Sequence, residues 1–150
     1  MRRYLVIANQ TLGGETLLGK IRERTTDEPA EFYLLVPATS PMRLGADMQD
    51  ESVRSHPETE PESLAWALAE RRLAHELDRL HTNGIQAEGE VGAEDPMEAI
   101  GEVLSRRQFD EIIICSLPQH VSRWLAMDLP SRANRKFQLP VVHCTDQPTA

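Results

Sequence analysis

Between Asp110 and Arg135 the chain reads DEIIICSLPQHVSRWLAMDLPSRANR, and this stretch holds most of the residues able to do chemistry. Ser116, Ser122 and Arg123 have the types that hold an anion beside a helix start, with Arg123 supplying charge-assisted hydrogen bonds. The plainer reading makes Ser122 a helix N-cap and Arg123 a solvent or interface residue. Asp128 is the obvious carboxylate for holding a metal near bound phosphates. Asn9 and Gln10 form a second polar cluster just past the first apolar run. A phospho-receiver domain would want acidic residues there, so this pair argues against one.

Other chemistries need more than the residues offer. A serine hydrolase built on Ser116 or Ser122 would want a G-x-S-x-G elbow, which is absent, and His120 could act as its base on adjacency alone. Gly14, Gly19 and Lys20 have P-loop spacing, but Ile21 replaces the hydroxyl that would hold Mg²⁺, and Leu17 and Leu18 belong to a helix face. Coincidence is the better reading. Cys115 and Cys144, with His120 and His143, show no CxxC or HxxxH spacing, so they read as buried thiols filling a core rather than as metal ligands.

The elements that must position these residues alternate between strand and helix. Tyr4 to Ala8 reads as a buried strand, Leu12 to Arg24 as a helix, and Phe32 to Val36 as a second strand stopped by Pro37. Residues 38–60 are polar, with Pro41, Gly45 and Pro57. They read as a long loop: a lid, a binding loop, a mobile segment or a disordered insertion. A long helix follows from about Glu60 to His81, with Thr59 and Glu62 at capping-box spacing and Pro61 in the first turn. Trp66, Ala69, Leu73, Leu77 and Leu80 give it one apolar stripe expected to face the core, and Asn83-Gly84 ends it.

Ile85 to Val91 alternates like an edge strand. Asp95, Pro96 and Glu98 open a helix whose buried face is Met97, Ile100, Val103 and Leu104. Ile112 to Cys115 is a strand covered on both faces. Ser122 to Met127 is a short helix, and Asp128 caps another that runs to Phe137. Arg132, Arg135 and Lys136 complement the end of that last helix. Val141 to Thr145 is the fifth strand. The order predicts a parallel α/β sheet with helices on both faces. In such sheets ligands bind past the carboxyl ends of central strands.

Composition sets bounds on partners. At 150 residues one domain is expected, large enough to bury a core without staples. A formal charge of −8 disfavours nucleic acid, whose backbone rewards a basic surface. The apolar run of MRRYLVIANQ is too short for a secretory core, and nothing reaches a membrane span, so a cytoplasmic location is expected. The two cysteines make no disulfide framework.

Over nearly its whole length the chain resembles the universal stress protein family. The resemblance rests on the alternation above and on the ending FDEIIICS…VSRWLAMDLPSRANRKFQLPVVHC, in particular Ser122-Arg123-Trp124-Leu125 and Leu139-Pro140-Val141-Val142. It implies a Rossmann-like sheet of the adenine nucleotide alpha hydrolase type, in strand order 3-2-1-4-5. The switch point would then fall between the first and fourth strands, with Cys115 and Cys144 on neighbouring strands. It implies adenine bonding near Val36 and a homodimer formed through Val141 to Thr145. ATP-binding members carry a glycine, two residues, a glycine, nine residues, then glycine followed by Ser or Thr. Those places hold Cys115, Pro118, Asp128 and Leu129 here. Pro118 removes a backbone donor, and Asp128 sets a negative charge beside any triphosphate. The acidic residue those members carry after the first strand is Asn9, which can bond a ribose hydroxyl but supplies no charge.

The expected function is therefore a non-enzymatic stress-response or regulatory protein with a degenerate nucleotide pocket. Asn9, Gln10, the backbone at Val36, Ser116, Ser122, Arg123 and Asp128 would line it. No cofactor is required, and ATP or AMP are the nucleotides the resemblance implies. Two alternatives stand beside it: an ATP- or AMP-binding protein or weak nucleotide hydrolase, the latter using Asp128, and a dimerisation module acting through protein partners.

Overall fold

The computed structural model describes residues 1–38, 61–118 and 123–146. The expected loop beyond Ala38 and Thr59 of the capping box lie outside the described residues, as does the side chain of Glu62. The elements follow in chain order as β1 (Arg2–Ile7), α1 (Glu15–Asp27), β2 (Ala30–Pro37), α2 (Pro61–Thr82), β3 (Ala87–Gly92) and α3 (Pro96–Leu104). Then come β4 (Glu111–Ser116), α4 (Arg123–Ala126), α5 (Leu129–Phe137) and β5 (Val141–Thr145).

All five strands are parallel, in the order β3-β2-β1-β4-β5. β1 and β4 are neighbours in space but distant in sequence, with Ile7 opposite Ile114. β3 lies at a sheet edge, as its polar alternation predicts.

The sheet is buried on both faces, so its central strands read as unbroken apolar runs. On one face Val6, Leu34, Ile113 and Cys115 pack against Leu17, Leu18 and Ile21 of α1 and Ala69 and Leu80 of α2. On the other, Leu5, Ile7, Ile112 and Ile114 meet Met97, Ile100 and Val103 of α3, Trp124 of α4 and Leu129 and Ala133 of α5. Each fully buried Ile or Leu stabilises by roughly 1.5–3 kcal/mol relative to exposure. Burial of Leu17, Leu18 and Ile21 also disposes of the P-loop resemblance, since that segment is a packed helix.

The helix starts follow local rules. Asp95 accepts from the Met97 amide at 3.0 Å, and Pro96 sits where a missing N–H leaves nothing unpaired.

One expectation fails here, and a second, Asp128 at the N-cap of α5, holds in position only. Trp66 is 45% exposed rather than in the core, and its indole N–H donates to Glu70 on the next turn at 2.7 Å. The buried side of α2 is centred on Ala65, Ala69, Glu76 and Leu80. Trp66 stands about 60° round the helix from Ala69, on the flank of the stripe. Asp128 precedes α5 but makes no side-chain capping bond. Its backbone is left-handed (φ 56°, ψ 45°), and only its carbonyl takes part, accepting from the Arg132 amide at 3.0 Å. A left-handed residue turns the chain sharply between α4 and α5, and Asp tolerates that turn better than most.

Candidate functional site

The carboxyl ends of β1 and β4 lie side by side, and the polar residues that follow them are drawn into the interior. Asn9, Gln10, Thr11 and Ser116 are all buried. Asn9 joins three elements: its Nδ2 donates to the Pro37 carbonyl at 2.8 Å, and its Oδ1 accepts from Arg72 Nη1 at 2.6 Å. Thr11 Oγ1 donates to the Cys115 carbonyl at 3.0 Å, tying the segment after β1 to β4. Arg79 of α2 donates to the carbonyls of Gly13 and Gly14 at 2.9 and 3.1 Å. The polar turn after β1 is thus held from two sides.

Gln10 differs from its neighbours. It is 5% exposed, and its Oε1 has no hydrogen-bond partner among the described residues. Leaving such an acceptor unpaired costs about 1–3 kcal/mol, so a ligand donor there would be rewarded. Val36 is fully buried with its side chain in the core, so only its backbone could meet a ligand.

At the end of β4, Ser116 Oγ lies 3.1 Å from the Leu117 carbonyl, to which it can donate, and 2.8 Å from His143 Nε2. Partial desolvation of the ring against β4 lowers the His143 pKa from its usual value, so the ring is neutral near pH 7. A hydroxyl and a neutral imidazole in contact have the types of a nucleophile and its base. Ser116 is only 1% exposed, however, and the strand-turn around it lacks the elbow that would present Oγ to a carbonyl. The pair is a cross-strand contact between β4 and β5 in which the hydroxyl is buried and the imidazole is exposed. Among the described residues His143 is the imidazole that reaches Ser116; His120 lies outside them.

Of the remaining expected residues, Ser122 lies outside the described residues, as does the side chain of Arg123, whose backbone opens α4. The structure therefore brings Asn9, Gln10 and Ser116 to the carboxyl ends of β1 and β4, the switch point of the sheet. Arg72 was not foreseen at this end of the sheet, nor were the bonds of Thr11 to Cys115 and of His143 to Ser116. Only their polarity marks them, because each meets its partner across many residues of chain.

Cys115 and Cys144 are both buried and free, and they face each other in the β4–β5 register. Among the described residues no group of three or more His, Cys, Asp or Glu side chains could hold a metal ion. No described helix is long and apolar enough to cross a membrane.

No protein-family model and no curated protein matches this sequence. Solved structures do. A universal stress protein family protein from Arabidopsis thaliana, with AMP bound, superimposes with a TM-score of 0.58 at 15% identity, over 98% of this chain and 93% of that one. A universal stress protein from Archaeoglobus fulgidus gives 0.59 at 15% identity, over 95% and 93%. The chain has the universal stress protein fold. The strand order 3-2-1-4-5 and the helices on both faces are those the sequence resemblance implies.

Proposed function

We propose that this chain is a divergent universal stress protein-like regulator, non-enzymatic and cytoplasmic, whose nucleotide pocket has lost its hold on a triphosphate. The observation that carries the reading is the backbone at Asp128. It keeps a positive φ at the place where ATP-binding relatives have a glycine, yet it bears a carboxylate. The backbone there takes a conformation that suits glycine, while the side chain it carries would repel phosphate. Pro118 lacks an N–H to offer, and Asn9, already bonded to Arg72 and Pro37, brings no negative charge with which to hold a metal. What remains open is Gln10, a neutral acceptor suited to a hydroxyl or an amine. A pocket at this end of the sheet, for which Asn9, Gln10, the Val36 backbone, Ser116, Ser122, Arg123 and Asp128 are the candidate residues, would therefore suit a nucleoside or AMP better than Mg-ATP.

Thermal unfolding with adenosine, AMP, ATP and Mg-ATP tests this. A ligand at one hundred times its Kd should add about 2.7 kcal/mol of apparent stability. Adenosine or AMP should raise Tm while Mg-ATP does not, and Gln10→Leu should abolish that rise without lowering the unliganded Tm. A larger shift with Mg-ATP than with AMP would overturn the reading. A flat response to every nucleotide would favour a module working through protein partners.

β5 favours a second part of the proposal. It is an edge strand with half-buried Val141 and Val142, and edges left open invite pairing. A homodimer through Val141 to Thr145 would cover it. Light scattering should then show a dimer that Val142→Lys converts to a monomer.

A further inference from the structure

Cys115 and Cys144 are directly opposed on adjacent parallel strands, and both side chains enter the same apolar cluster. Neighbouring strands lie about 4.8 Å apart. That falls within the roughly 4.4–6.8 Å Cα separation that a disulfide spans. The two thiols are not equivalent. Cys115 is wholly buried in the central strand β4, whereas Cys144 is 6% exposed on the edge strand β5. Cys144 is held below the usual thiol pKa by hydrogen bonding from Cys115, which outweighs burial, and by the positive charges of Lys20 and Arg24 on α1. Cys115 is pushed the other way by its role as donor to Cys144 and by burial. Cys144, the less buried of the two and on the edge strand, is the sulfur a small oxidant reaches first, and Cys115 is the one that follows.

We propose that Cys115 and Cys144 form an oxidisable dithiol, with a peroxide as oxidant and a β4–β5 intramolecular disulfide as product. The Cys144 thiolate attacks one peroxide oxygen and the O–O bond breaks. Hydroxide leaves and takes up a proton as water, so Cys144 becomes a sulfenic acid. The Cys115 sulfur then attacks Cys144 sulfur, the S–O bond breaks, and a second water departs with the Cys115 proton. Two thiols are oxidised by two electrons, and one hydrogen peroxide is reduced to two waters. Asp146, two residues beyond Cys144, is bonded to the Thr16 amide, so the bond would form beside the start of α1.

Reduced full-length protein is exposed to hydrogen peroxide without denaturant and followed by intact mass and thiol titration. The free thiols should fall from two to none. The mass should drop by two hydrogens, a Cys115–Cys144 linked peptide should appear, and dithiothreitol should reverse all three. Cys115→Ala should instead leave a Cys144 sulfenic acid that dimedone traps, and Cys144→Ala should leave Cys115 unreactive. The wild-type mass decides the matter even if a variant fails to fold. Oxygen addition without the linked peptide, a disulfide joining two chains, or thiols unchanged at peroxide levels that oxidise glutathione would each overturn the proposal.

Discussion

Asp146 Oδ2 accepts a hydrogen bond from the Thr16 backbone amide at 2.9 Å, so a residue just past the last strand caps the first helix. The helix cannot cap itself, because its N-cap residue is Gly14 and has no side chain. A carboxylate at a helix start satisfies an orphan amide and opposes the positive end of the helix dipole. Gly14 in turn makes room for it: a methyl built there would overlap the Asp146 carboxylate. Asp146→Ala should therefore lose about 1 kcal/mol in urea unfolding. Gly14→Ala should lose a comparable amount by displacing the same carboxylate. The double variant should fall short of the sum, a coupling that independent sites would not show.

Glu76 is the charged group most deeply placed among the described residues, with its side chain 1% exposed and 2.8 Å from Arg79. Arg79 also holds the carbonyls of Gly13 and Gly14, so the pair links α2 to the turn after β1. Removing one partner of a buried pair leaves the other uncompensated and costs about 3–5 kcal/mol. Arg79 keeps two carbonyl acceptors and some contact with water, so the lower end is expected for Glu76→Ala. Glu76→Gln retains an oxygen facing Arg79 and should lose clearly less. Equal losses for the two variants would mean that packing, not charge, sets the cost.

The fold was legible because its signals are local. Ile112 to Ile114 read as a strand covered on both faces, Asp95-Pro96 marked a helix start, and Val141 to Thr145 is a strand to the residue. Trp66 shows the limit of periodicity, since a wide stripe does not say which of its edges meets the sheet. The site was legible in residue type but not in partnership. Asn9 meets Arg72 across 63 positions, and nothing in either neighbourhood announces the other. Gly89 went unread for the same reason. Its missing side chain lets Leu73 of α2 and the Leu34 carbonyl approach β3 closely, which only the assembled sheet reveals.

His143 gives the molecule a pH dependence whose sign can be worked out. Partial desolvation lowers its pKa in the folded chain, so the unfolded chain takes up a proton at a higher pH than the native one does. Between the folded value and the unfolded value of about 6.5 the unfolded state carries the extra proton, and stability rises with pH. The neutral ring's contribution is complete above that unfolded value and is lost as pH falls through the folded one. Protonation also restricts Nε2 to donating toward Ser116 Oγ, which then has to accept. His143→Gln removes the titration but keeps a polar side chain in place. Urea midpoints of wild type and variant, compared from pH 8 down to pH 5, should show the wild type losing ground relative to the variant as the pH drops below about 6.5. A difference that stays flat, or moves in the wild type's favour at acid pH, would mean that the ring is not held neutral by its surroundings.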